Sequence, residues 1–238
     1  MLPILLLVGT AMPSFAETAH VAVASNFTAV AEELKARFET MGEHQVVLSF
    51  GATGQLYAQI AQAAPFDLFL AADTARPDRA IAEGLAVAGT EFVYAKGQLA
   101  LYAPGRDASN GEAVLGGGFD KLAIADPEAA PYGAAAVETL EALGFYDKIE
   151  PRLVVGATIS QALQFVESGN AALGFVAASQ VIGRTDIWLV PDDLHAPIEQ
   201  GAVLLNEGQD NPAALAFLAF LRSAEAVAVI EAAGYSVP

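Results

Sequence analysis

The chain has 238 residues, 54% of them hydrophobic, enough for one large domain or for two of about 100 residues, each with its own core. Its 28 acidic and 11 basic residues give a formal net charge of −17, which repels nucleic acid and anionic lipid. The absence of cysteine excludes a disulfide framework, thiolate zinc sites, iron–sulfur clusters and cysteine nucleophiles.

Residues 1–16, MLPILLLVGTAMPSFA, form an apolar segment ending in the small-x-small pattern Ser14-Phe15-Ala16. It is too short to span a bilayer and reads as a secretory signal peptide, so residues 17–238 are expected to be an exported soluble protein. The first predicted strand is 20–24. A helix over 28–41 follows, with Val30, Leu34, Phe38 and Met41 on one face and Gly42 as a left-handed cap. A second strand (45–50) and helix (55–64, closed by Pro65) repeat the pattern, and a third strand is predicted over 66–72. Asp73, Thr74 and Pro77 then open a helix that ends near Gly84. This alternation specifies an α/β sheet covered on both faces.

The rhythm changes at 92–104, an extended run broken at Gly97, as expected where a chain crosses between lobes. Strands are predicted at 121–125, 153–155 and 172–177, with helices over 134–143 and from Ala157-Thr158-Ile159 to Val166. A second crossing is expected near 198–205, before a helix-rich tail over 211–233. The predicted organisation is a first lobe of 17–94 plus 202–238 and a second lobe of 95–201, hinged about a cleft.

Four strand-to-helix junctions carry small polar residues or free backbone N–H groups: Ser25-Asn26, Thr53, Tyr132 and Ile159. The first two lie about 27 residues apart, one strand–helix repeat, so they fall side by side at the carboxyl edge of one parallel sheet. Ser25, Asn26 and Thr53 are natural helix caps, and the N–H groups at such termini also form anion sites. Two junctions from each lobe make a shared anion pocket the stronger reading.

Catalytic signals are weak. His20, His44 and His195 have no metal-ligand spacing, and nucleophile-elbow, phosphate-loop and dinucleotide fingerprints are absent. Gly116-Gly117-Gly118 reads as a turn, Trp188 as core, and Asp67, Asp73 and Asp126 as caps or, less simply, an acid–base pair. Neutral N–H and O–H donors suit a fully ionised oxyanion, because they bind it without burying a second charge. The chain is therefore expected to bind rather than to catalyse.

The signal peptide, Ala24-Ser25-Asn26-Phe27-Thr28, Ser49-Phe50-Gly51-Ala52-Thr53-Gly54, the run from Ala64-Pro65-Phe66-Asp67 to Asp73, the run from Asp126 to Gly133, and Ala172-Leu173-Gly174-Phe175-Val176 together resemble the periplasmic molybdate-binding proteins of ABC transporters. The resemblance covers essentially the whole mature chain. It implies a two-lobed periplasmic-binding fold of the second type that closes on molybdate or tungstate without a metal cation, cofactor or covalent step. The implied ligand residues are Ser25, Asn26, Thr53, Tyr132 and Ile159, the last two through backbone N–H groups. Some members place a Tyr donor at the position of Ala177, and Asn26 is expected to compensate for it here. The resemblance further implies a monomer in the periplasm that delivers its oxyanion to a membrane permease. Sulfate, chromate or phosphate binding, and a periplasmic hydrolase, remain as rivals.

Overall fold

The computed structural model describes residues 16–238; nearly all of the expected signal segment lies outside them. In chain order the first lobe contains β1 (Thr18–Ala24), α1 (Thr28–Thr40), β2 (Gln45–Gly51), α2 (Thr53–Ala61), β3 (Leu68–Leu70), α3 (Ala75–Ala82) and β4 (Phe92–Gly97). The second lobe contains β5 (Leu99–Tyr102), α4 (Gly111–Gly116), β6 (Leu122–Ala125), α5 (Pro131–Ala142), α6 (Tyr146–Ile149), β7 (Leu153–Gly156), α7 (Ile159–Glu167), β8 (Leu173–Ala177) and β9 (Ile187–Leu189). The chain then returns to the first lobe as β10 (Ile198–Leu204), α8 (Pro212–Phe220) and α9 (Ala224–Ala232).

Each lobe is built on a five-stranded sheet, ordered β2-β1-β3-β10-β4 in one and β7-β6-β8-β5-β9 in the other. In the first, β1 runs parallel to β2 and β3, and β10 lies antiparallel between β3 and β4. In the second, β6 is parallel to β7 and β8, whereas β5 is antiparallel to β8 and β9. Both sheets are therefore mixed, with the parallel portions supplying the ends that matter for the site. The last four residues of β1 are all buried, as a strand covered on both faces requires. Val30, Ala31, Leu34 and Phe38 of α1 pack on one side of this sheet with α8 and α9, where the Phe38 and Phe217 rings meet edge to face 5.1 Å apart. Leu56, Tyr57 and Ile60 of α2 cover the other side.

Three expectations need correction. Gly42 does not adopt a left-handed conformation; α1 ends at Thr40, and the capping residue Met41 has ordinary right-handed geometry. The second crossing precedes 198–205: that stretch is β10 in the first sheet, and the chain changes lobe through Pro191–Pro197, where two prolines and a short 3-10 turn break pairing. The expected lobe bounds at 94/95 and 201/202 thus fall inside β4 and β10. Trp188 is half-buried on the edge strand β9, its ring against Gly111, rather than within a core. Among the described residues no single helix is long and apolar enough to cross a membrane.

Candidate functional site

Strand register places the site. Ala24 of β1 pairs with Gly51 of β2, and Val23 pairs with Leu70 of β3, so all three strands stop at one edge. The chain turns there into Ser25-Asn26, Ala52-Thr53 and Ala71-Ala72. In the other lobe Ala125 of β6 pairs with Gly156 of β7, so the turns leading to Tyr132 and Ile159 also lie together. The two edges face each other and enclose a cavity lined by Ala24, Ser25, Asn26, Gly51, Ala52, Thr53, Ala72, Ala130, Pro131, Tyr132 and Ile159. The cavity is small, and all of its lining residues but Pro131 are buried. All five residues expected at the site line this one cavity.

None of the three polar residues of the first lobe serves as a helix cap: the helical turns that begin at 25, 28 and 53 are preceded by Ala24, Phe27 and Ala52 and show no side-chain cap bond. Thr53 is the first residue of α2, and its Oγ1 accepts the Ala72 N–H at 3.0 Å, which leaves the hydroxyl proton free for a guest. The Ser25 hydroxyl has no hydrogen-bond partner among the described residues, while its carbonyl accepts from Thr28 Oγ1 at 2.8 Å. Nor does any acceptor among these residues meet the N–H of Thr53, Tyr132 or Ile159, each in the first turn of α2, α5 or α7. The positive ends of three helix dipoles thus point into one enclosed space.

Asn26 behaves differently from expectation. It lines the cavity, but its amide nitrogen donates to Gln200 Oε1 at 2.8 Å and to Tyr235 Oη at 3.1 Å, so those protons are not offered to a guest. Ala177 lies fully buried at the end of β8, away from the cavity lining. The alanine and proline positions that line the site had no chemical signal in the sequence, since they contribute backbone and shape.

The lobes touch around the cavity. Gly54 N–H donates to the Ala129 carbonyl at 2.8 Å, and Ser160 Oγ donates to the Ser25 carbonyl at 3.0 Å. Arg76, held by Asp73 in its own lobe, donates through Nη2 to the Glu128 carbonyl across the cleft at 2.8 Å. A Cβ at Gly54 would lie 3.2 Å from the Ala129 backbone, so this close approach favours glycine.

No lining residue carries a charge. The three candidate aspartates are occupied elsewhere: Asp67 Oδ2 accepts the His20 N–H at 2.6 Å, Asp73 Oδ1 that of Arg76 at 2.9 Å, and Asp126 Oδ1 that of Glu128 at 3.0 Å. The last two each stabilise a local turn, and the Asp67 bond ties the start of β3 to β1. Among the described residues no group of three His, Asp or Glu side chains is placed to hold a cation.

Comparison with known proteins agrees with this geometry. Residues 19–236 match the family described as bacterial extracellular solute-binding protein. A molybdate-binding protein of Rhodobacter capsulatus is 49% identical, over 97% of this chain and 92% of its own length. Its counterpart in Azotobacter vinelandii is 47% identical, over 92% and 89%. A solved structure of the Azotobacter vinelandii periplasmic molybdate-binding protein gives a TM-score of 0.88 at 36% identity, covering 92% of this chain and 99% of that one.

Proposed function

Since the chain belongs to the bacterial extracellular solute-binding proteins, we propose that it captures molybdate, or its tungstate analogue, in the periplasm and delivers it to the permease of an ABC importer. The observation that carries this reading is the uncharged cavity on which the Ser25 and Thr53 hydroxyls and the N–H groups of Thr53, Tyr132 and Ile159 converge. Five bonds to a charged acceptor, at about 1.5–3 kcal/mol each, give about 7–15 kcal/mol before desolvation and closure are subtracted. Micromolar capture needs about 8 kcal/mol. Fixed dipoles at close range also offset the repulsion from a net charge of −17, which salt screens beyond about 8–10 Å.

The same lining bears on the rivals. Phosphate keeps a proton near neutral pH and needs an acceptor such as a carboxylate, which the lining lacks. A hydrolase needs an acid and a base at the guest, and the nearest candidates, Asp73 and Asp126, are engaged in their own turns.

Thermal unfolding of the mature chain with molybdate, tungstate, sulfate and phosphate tests the assignment. Molybdate and tungstate are expected to raise the midpoint by mass action, by about 2.7 kcal/mol of stability at a hundredfold excess over Kd, and phosphate to leave it unchanged. A larger rise with sulfate than with molybdate would reassign the ligand.

A further inference from the structure

Behind the donor cavity lies a second polar cluster that ligand binding does not use. Gln200, in the middle of β10, has no exposed surface. Its Oε1 accepts from Asn26 Nδ2 at 2.8 Å and from the Tyr94 hydroxyl at 3.0 Å, and its Nε2 donates to the Tyr132 hydroxyl at 3.3 Å. Beside it the Tyr235 hydroxyl donates to the Asn26 carbonyl at 2.9 Å and accepts from Ser179 Oγ at 2.8 Å. Asn26, Tyr94, Gln200 and Tyr235 belong to the first lobe, whereas Tyr132 and Ser179 belong to the second.

Tyr132 therefore faces two ways: its N–H borders the cavity, and its phenol leaves its own lobe to reach Gln200. The phenol sits against Gly97, the last residue of β4, just before the chain changes lobe. A Cβ at Gly97 would overlap the Tyr132 hydroxyl and lie 2.8 Å from Gln200 Nε2. Gly97 is not in the left-handed region, so this contact, rather than backbone conformation, is what excludes a side chain there. A buried amide is costly unless its partners are all present. Gln200 satisfies that condition only while Tyr132 is docked, that is, while the lobes are together.

Resting on the reading of the cleft as an oxyanion site, we infer that Gln200 is a positioning residue for capture and that the Tyr132 phenol, seated on Gly97, is the latch that holds the cleft closed. Opening the cleft breaks the Gln200–Tyr132 and Ser179–Tyr235 bonds, so the latch acts on release rather than on encounter.

The test uses the full mature chain with molybdate, following release by stopped flow and lobe separation by small-angle scattering. Tyr132→Phe keeps the N–H and removes only the latch hydroxyl. It is expected to raise the dissociation rate about tenfold, with association unchanged. The same change in a Gln200→Leu background is expected to have little further effect, because the partner is already gone. Gly97→Ala retains every ligand donor and should hold the lobes apart, giving a larger radius of gyration and faster release. Wild-type release rates and wild-type compactness in both Tyr132→Phe and Gly97→Ala would overturn the latch, whatever their melting temperatures; these two decide the matter even if Gln200→Leu does not fold. Should molybdate fail to bind the wild-type chain, the ligand assignment fails separately. The ligand-free radius of gyration of Gly97→Ala then decides: expansion relative to wild type supports the latch, and no change overturns it.

Discussion

Replacing Thr53 by alanine removes two bonds of different kinds, and their consequences can be measured apart. The hydroxyl accepts the Ala72 N–H at 3.0 Å in a site where Thr53 is 1% exposed. Without it that N–H is left buried and unpaired, at a cost of about 1–3 kcal/mol of fold stability. For a domain of this size the melting midpoint of the ligand-free protein should fall by about 2–4 °C for each kcal/mol lost. The hydroxyl proton is free to donate to a bound oxyanion, and losing a bond to a charged acceptor costs about 1.5–3 kcal/mol, or about 10- to 150-fold in Kd. Thr53→Ser retains the oxygen and should recover most of both. Titration calorimetry with molybdate at a temperature where all three proteins are folded reads the affinity, and thermal unfolding without ligand reads the stability. An alanine variant that loses stability yet binds within twofold of wild type would show that the hydroxyl serves only Ala72, and would remove it from the site.

Ile159→Pro deletes a single N–H. Proline suits the first position of α7, and Thr158 already has the extended geometry (φ −138°, ψ 164°) that a following proline demands. Molybdate affinity by calorimetry should fall at least tenfold relative to Ile159→Ala, which keeps the donor. Affinity for molybdate should stay flat from pH 6 to 9, since no lining residue titrates there; a step in that range would place an ionisable group at the guest. Burial, the largest cause in each case, raises the hydroxyl pKa of Tyr94, Tyr132 and Tyr235 above the usual value of 10.0. The unfolded chain then loses these protons first, so their contribution to stability is complete below about pH 10 and is lost as pH rises beyond it. Denaturant unfolding should show stability falling above that pH, less steeply in Tyr94→Phe. Asp67→Asn weakens the bond to the His20 N–H and should lower the melting midpoint without changing molybdate affinity; a tenfold affinity loss would reopen a functional role for the carboxylate.

The donor cavity was legible from sequence because its logic is local. Each contributing residue lies in the turn after a strand or in the first turn of the helix that follows it, and parallel pairing brings adjacent strand ends together whatever the rest of the chain does. Ser25, Thr53, Tyr132 and Ile159 could be found in that way. The direction of the Asn26 amide could not, since its partners Gln200 and Tyr235 lie 174 and 209 residues along the chain and carry no periodic signal. Gln200 itself follows Glu199 at the start of an extended run and reads as no more than a second polar residue there. The misplaced second crossing has a similar cause: the run after Ile198 looks the same whether it links lobes or completes a sheet, and only its antiparallel pairing with β3 and β4 settles which.

The position of β10 bears on how the molecule matures. The first sheet has a gap between β3 and β4 until residues 198–204 arrive, whereas the second lobe is one uninterrupted segment with all its strands to hand. A chain made from its amino end therefore finishes its inner segment before its outer one. Half of the ligand pocket sits on a scaffold that stays open until the final stretch of polypeptide is threaded home, so the pocket is completed only by the last part of the chain to be made.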